Sequence, residues 1–214
     1  MVRAWIADVT PLYEDGCYRE YYGSIPDFRK KKADALRTVE MKAQSVGAWT
    51  LWEQIRSMYG LPEDAPFNLS HSGTYVMCAV ELDGRDERVG CDLEKIGELR
   101  EKIAARFFCR EEYEAILSGG SEEAKTELFY RYWVLKESFM KATGKGMALP
   151  ADAFCIRLGD PPVLTRQPEE FPEQYYYIEF KIKGLPYRMA VCSTDQEIDC
   201  LLYTSDAADE ARSV

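Results

Sequence analysis

The chain is short of several features, and each shortage narrows what it can be. It has a single histidine, His71, and its seven cysteines contain no Cys-x-x-Cys pair and are odd in number. A cysteine–histidine zinc site is therefore not expected. Cys17, Cys78, Cys91, Cys109, Cys155, Cys192 and Cys200 read as reduced, mostly buried thiols. No apolar run approaches the roughly 20 residues of a membrane-spanning helix, and Met1–Thr10 lacks the basic, apolar and small-residue sections of a secretory signal. A cytoplasmic protein with no membrane partner is expected. Basic residues are in deficit, 27 against 37 acidic, for a net charge of −10, which argues against general binding of nucleic acid. Arg29-Lys30-Lys31-Lys32 is a local basic run that, alone, reads as a solvated helix face.

What is present is globular: 214 residues, 46% hydrophobic and 13% aromatic, enough for one sizeable core or two small ones. Val2–Val9 reads as an opening strand, and Pro11 to Pro26 as loop with a short helix. Helical spacing runs through Lys42 to Met58 until Gly60 and Pro62 stop it. Phe67 to Gly73 reads as a polar turn, followed by Tyr75–Leu82, apolar almost throughout as a buried strand would be. Val89–Leu93 is the next strand. Leu99–Phe108 and Glu111–Leu117 read as helices, as does Glu123–Thr143, with Phe129, Trp133, Lys136, Glu137 and Met140 along one stripe. Phe154–Leu158, Tyr175–Lys183 and Tyr187–Cys192 alternate as short strands. The organisation is α+β in two halves, 1–88 and 89–199, each a small, mostly antiparallel sheet with helices. Cys200–Val214 fits neither helix nor strand and coincides with the translation of a sequencing adapter. It is expected to be an artefact and is set aside.

Three short segments carry chemistry. Val89-Gly90-Cys91-Asp92-Leu93-Glu94 places two carboxylates at i and i+2 of a strand, on one face, with Cys91 and Leu93 on the other. Such a pair suits Mg²⁺, which takes a few carboxylates and completes its octahedron with water and phosphate oxygens; an isolated Asp-x-Glu is equally a solvated strand end. Trp133 to Lys141 sets Glu137 and Lys141 one helical turn apart, which alone is an ordinary ion pair. Asn68-Leu69-Ser70-His71-Ser72-Gly73 offers hydroxyls, backbone N–H groups and one imidazole to an anion, or is a plain turn.

In this order the three segments resemble the Sfp-type 4′-phosphopantetheinyl transferases, marked by a His-Ser-Gly-like turn, a Gly-x-Asp-x-Glu strand and a Trp-x-x-Lys-Glu-[Ser/Ala]-x-x-Lys helix. The likeness extends through Arg106-Phe107-Phe108, Glu111-Glu112-Tyr113 and Gly144-Lys145-Gly146. It implies two similar halves in a pseudo-twofold relation and transfer of phosphopantetheine from coenzyme A to a carrier-protein serine, with release of 3′,5′-ADP. It further implies that Asp92, Glu94 and Glu137 hold Mg²⁺ with the pyrophosphate, and that Glu137 or a water it holds takes the serine proton. Lys141 would neutralise phosphoryl charge, while Ser70, His71 and Lys31 would meet the coenzyme's phosphates. Lys136 either supports the pantetheine pocket or pairs with a nearby acid, and Glu112 reads as structural. Arg100, Lys102 and Arg106 are candidates for carrier docking. A monomer is expected. The first half departs from the family pattern: its usual arginine falls at Ala43 or Gln44, with Lys42 adjacent, and Tyr59-Gly60-Leu61-Pro62 leads almost directly to Phe67. A relative that binds coenzyme A or a carrier without transferring is the alternative, and a different Mg²⁺-dependent phosphotransferase is a third, disfavoured by the lack of a Gly-x-x-x-x-Gly-Lys-[Ser/Thr] loop.

Overall fold

The run Tyr75–Leu82 is apolar in both directions because both faces of its strand are covered. The computed structural model describes residues 1–200, so the expected artefact segment past Cys200 lies outside the described residues. The chain runs β1 (Val2–Asp8), α1 (Asp15–Ser24), α2 (Asp27–Asp34), α3 (Val39–Tyr59), β2 (Phe67–Ser72), β3 (Tyr75–Glu81), β4 (Val89–Lys95), α4 (Glu101–Phe107), α5 (Arg110–Leu117) and α6 (Glu122–Ala142). There follow β5 (Cys155–Arg157), β6 (Val163–Arg166), β7 (Tyr176–Phe180), β8 (Tyr187–Ser193) and β9 (Ile198–Cys200).

The strands form one sheet in the order β2-β3-β1-β9, a second in the order β4-β8-β7, and a β5-β6 pair. All pairings are antiparallel except β1 with β9. The two main sheets repeat one topology: a strand, a long helix, then two more strands of which the last lies in the middle. This is the α+β architecture of two similar halves that the sequence pattern implied.

Period-two alternation then builds the layers. Val2, Ala4 and Ile6 of β1 and Met77 and Ala79 of β3 meet Cys91 and Leu93 of β4 and Met189 and Val191 of β8 in a core between the sheets. The opposite residues of the first sheet, Trp5, Ala7, Val76, Cys78 and Val80, pack on Val46, Trp52 and Ile55 of α3. Those of the second, Tyr177, Ala190 and Cys192, pack on Val134, Leu135 and Phe139 of α6. The order is therefore α3, first sheet, second sheet, α6.

Local signals set the helix ends. Thr38 caps α3 by accepting from Met41 N, Gly60 closes it in the left-handed region (φ 62°), and Ser121 caps α6 by accepting from Ala124 N. Several expectations need correction. The segment read as a polar turn is strand β2, with only Gly73 and Thr74 turning, because Asn68, Ser70 and Ser72 alternate toward a polar neighbour rather than toward water. The stretch after Pro11 holds a ten-residue helix, and β6 and β9 were not foreseen, being three or four residues long. Cys200, read as fitting no strand, ends β9. Cys109 and Cys155 are joined as a disulfide, with Cα atoms 6.0 Å apart. They are not two separate thiols, because α5 and β5 are brought edge to end.

One glycine decides how closely α6 approaches the second sheet. A Cβ on Gly90 would strike the carbonyl oxygen of Ser138 and the backbone nitrogen of Ala142, both in α6. Backbone cannot swing aside as a side chain can, so helix and strand would have to part. Gly90→Ala is expected to cost about 1–3 kcal/mol, seen in thermal melts as a fall of about 2–4 °C per kcal/mol for a chain of this size. An unchanged melting temperature would contradict the close approach.

Candidate active site at the seam between the sheets

β2 and β4 are edge strands of different sheets, and they lie side by side without sharing a backbone ladder. The outward N–H groups of β4 are met by side chains of β2. Asn68 Oδ1 accepts from Cys91 N at 3.1 Å, Ser70 Oγ from Leu93 N at 3.2 Å, and Ser72 Oγ from Lys95 N at 3.1 Å. Each serine hydroxyl then donates to the carboxylate one residue back: Ser70 to Asp92 Oδ1 at 2.9 Å and Ser72 to Glu94 Oε2 at 3.0 Å.

Asp92 and Glu94 thus stand on the α6 face of β4, as their i, i+2 spacing implied. α6 brings Glu137 and Lys141 to the same place. Lys141 Nζ donates to Asp92 Oδ1 at 2.7 Å, to Ser70 Oγ at 3.0 Å and to the Cys91 carbonyl at 3.0 Å. Asp92 is buried, and its second oxygen, Oδ2, is fully enclosed with no hydrogen-bond partner. An unsatisfied buried carboxylate oxygen is costly, and it marks where a cation would sit.

The charges agree. Glu137 is pushed up to about 7 by burial and by Asp92, with Glu94 adding to the effect and Lys141 opposing it. Burial and Asp92 also raise Glu94, against the Ser72 hydrogen bond, Arg100 and Lys141. Burial works against the Lys141 ammonium, but Asp92, Cys91 and Glu137 together outweigh it and raise Lys141 above its ordinary value. The three acids repel one another across a space that one lysine does not neutralise. Their oxygens do not all lie within 4.8 Å of one another; among the described residues those of Glu81, Asp83 and Asp195 do, and these surround the Met1 ammonium. The donor set of hard oxygens fits Mg²⁺, with a short movement of the longer Glu94 and Glu137 side chains. Cys91 in the same seam is no nucleophile, since burial pushes its thiol up to about 12.

Other expected residues are placed differently. His71 is exposed, yet close enough to the site for the charges of Lys141 and Asp92 to reach it. Its imidazole is held below 6.5, first by partial desolvation and then by the charges of Lys141 and Lys32. The basic residue of α2 whose charge reaches His71 is Lys32; Lys31, about 100° round the helix from it, is exposed, as Lys32 is. Arg29, three residues before Lys32, donates to the Ser45 carbonyl and lies 4.8 Å over the Trp49 ring. Gln44 is buried and donates to the Gly73 carbonyl at 2.8 Å, so it holds the β2–β3 turn. Ser70 is buried, with its hydroxyl committed to Asp92.

Lys136 resolves toward pairing. It is 1% exposed and donates to Glu112 at 2.9 Å and to the carbonyls of Ala151 and Phe154 at 2.6 and 2.9 Å. Glu112 also accepts from Cys109 N and Ile156 N. Burial pushes Glu112 up and Lys136 down, each opposed by the other's charge. Arg100, Lys102 and Arg106 are exposed around α4, and Arg100 is close enough to influence Glu94. Beyond Glu94, whose partner across the sheet is Arg188, a cleft of about 310 Å³ is lined by Glu127, Arg131, Glu179, Phe180, Lys181 and Arg188. The sequence offers Ser72 and Asn68 as members of an anion-binding or plain turn; their period-two spacing opposite Asp92 and Glu94 is the signal of the role they have here.

Residues 88–192 match the profile of the 4′-phosphopantetheinyl transferase superfamily. The chain is similar to 4′-phosphopantetheinyl transferase Sfp of Bacillus subtilis (strain 168), 36% identical over 140 residues, which are 63% of this chain and 60% of that one. The ffp transferase of Bacillus subtilis is 38% identical over 142 residues, with the same two shares. The gsp transferase of Aneurinibacillus migulanus is 33% identical over 153 residues, 70% of this chain and 61% of its own. The chain thus matches about three fifths of the length of these relatives.

The raised Glu137 has a measurable consequence. Its carboxyl holds a proton more tightly in the folded chain, about 7 against 4.5. The stability it contributes is complete below pH 4.5 and is lost as pH rises through about 7. Urea unfolding with a chelator, from about pH 5 to about pH 8, is expected to show the wild type losing stability relative to Glu137→Gln over that window. Parallel curves would place Glu137 in an ordinary solvated setting.

Proposed function

We propose that the chain, similar as it is to Sfp-type 4′-phosphopantetheinyl transferases, transfers 4′-phosphopantetheine from coenzyme A to a serine of a carrier protein and releases 3′,5′-ADP. The observation that carries this reading is the meeting of Asp92 and Glu94 from β4 with Glu137 and Lys141 from α6, around the unpartnered oxygen of Asp92.

Asp92, Glu94 and Glu137 are the residues that would hold Mg²⁺. When bound, that ion draws charge from the pyrophosphate oxygens and lowers the repulsion met by an incoming nucleophile. The chain's own groups account for the rest. Glu137, poised near neutrality, suits a general base for the carrier serine, directly or through one water. The serine oxygen forms its bond to the β-phosphorus as the bond from that phosphorus to the oxygen of 3′,5′-ADP breaks, and no covalent enzyme intermediate is needed. Lys141 is placed to offset negative charge growing on the phosphoryl oxygens. His71 and Lys32 lie together on the first-half side of the seam and suit the nucleotide phosphates, with Lys31 next in the same basic run. Every named group comes from one chain, so a monomer suffices, and a cytoplasmic setting suits a substrate such as coenzyme A. The described residues contain no helix long and apolar enough to cross a membrane.

The test is loading of apo acyl, polyketide and peptidyl carriers with coenzyme A and Mg²⁺, read by intact mass. One added phosphopantetheine is expected, abolished by chelation and lowered at least a hundredfold by Asp92→Ala or Glu137→Ala, on the order of removing an essential catalytic group. Full activity in both variants would remove the proposed site. Calorimetric binding of coenzyme A with no loading of any carrier would favour the non-catalytic reading, which gains support from the matched share of the relatives.

A further inference from the structure

We propose that Ser72 is a positioning residue for Glu94 and that the Asn68-x-Ser70-x-Ser72 ladder shapes the metal site as well as joining the sheets. This rests on reading the site as that of a metal-dependent transferase.

Ser72 sits between two groups of opposite kind. Lys95 N donates to its oxygen at 3.1 Å, which obliges the hydroxyl hydrogen to point elsewhere, and Glu94 Oε2 waits at 3.0 Å. A hydroxyl fixed on one side by backbone has its donor direction set. Among the described residues this is the only hydrogen bond that the Glu94 carboxylate receives. Asp92, by contrast, is held by Ser70 and Lys141 together. Glu94 is also longer and only half-buried, so it has more conformations to lose on meeting a cation. Hydrogen-bonded partners of metal ligands orient the ligand and raise affinity, and Ser72 is the partner that Glu94 has.

The ladder supplies its own control. Ser72 serves Lys95 N and Glu94; Ser70 serves Leu93 N and Asp92; Asn68 serves Cys91 N, where the preceding residue is Gly90 and there is no carboxylate to orient. Asn68 therefore performs the joining without the orienting. A purely structural ladder would make Asn68 and Ser72 equivalent.

Manganese(II) would be titrated into the full chain, with and without coenzyme A, following loss of the free-ion resonance signal, for the wild type, Ser72→Ala, Ser72→Thr and Asn68→Ala. Ser72→Ala is expected to weaken binding about tenfold, and Ser72→Thr to restore it to within about twofold. Asn68→Ala is expected to lower the melting temperature as much as Ser72→Ala while leaving manganese affinity within about twofold of wild type. In carrier loading, Ser72→Ala should raise the Mg²⁺ concentration for half-maximal rate by the same factor, with kcat regained at saturating Mg²⁺. Unchanged manganese binding in Ser72→Ala overturns the proposal, as does equal weakening in Asn68→Ala. Manganese binding that responds to Ser72 in a protein that loads no carrier would sink the transfer reading and leave the positioning role standing. No binding by the wild type in either condition would overturn both.

Discussion

The arrangement depends on how two sheet edges are joined. An edge strand presents unpaired N–H and C=O groups, which are hazardous when exposed and costly when buried without partners. Here the outward N–H groups of Cys91, Leu93 and Lys95 are met by side chains of Asn68, Ser70 and Ser72. A shared ladder would have merged the sheets and taken those groups with backbone oxygens. Side chains do it at greater separation and leave hydroxyl donors over, and those donors fall on Asp92 and Glu94.

α6 completes the site because it is fixed from two sides. On one, Gly90 lets its backbone settle against β4. On the other, Lys136 gives its hydrogen bonds to Glu112, Ala151 O and Phe154 O. A buried ion pair of this kind adds little to net stability, since desolvation offsets its attraction. It does restrict rotation of the helix, and Glu137, the next residue, is about 100° round from Lys136. The adjacent lysine and glutamate thus divide the work: one is locked into the core and the other is turned to the seam.

Much of this could be read from residue order. The i, i+2 carboxylates, the one-turn spacing of Glu137 and Lys141 and the stop of α3 at Gly60 depend on local geometry, and local geometry held. What was misread depended on a neighbour distant in the chain. Asn68 to Ser72 looked like a turn because polar alternation normally means water on one side, and here that side is the edge of β4. Which lysine of the basic run has its charge felt at His71 depends on how α2 is docked, since a run of four basic residues carries no rotational phase of its own. Ser72 was passed over because a serine beside a glycine is ordinary until Glu94 is 3.0 Å away.

The sequence by itself determined the inventory: which strand offers carboxylates, which helix offers an acid and a base, and that each half joins a small sheet to helices. Periodicities of two and 3.6 are properties of the backbone and need no partner to be expressed. Tertiary structure alone decided how charged those groups are and which of them are held. Glu137 near 7, the orphaned oxygen of Asp92 and the bond from Ser72 to Glu94 all arise where elements about 20 to 70 residues apart in the chain meet. Desolvation and Coulomb interaction depend on distance through space, and the order of residues does not contain that distance.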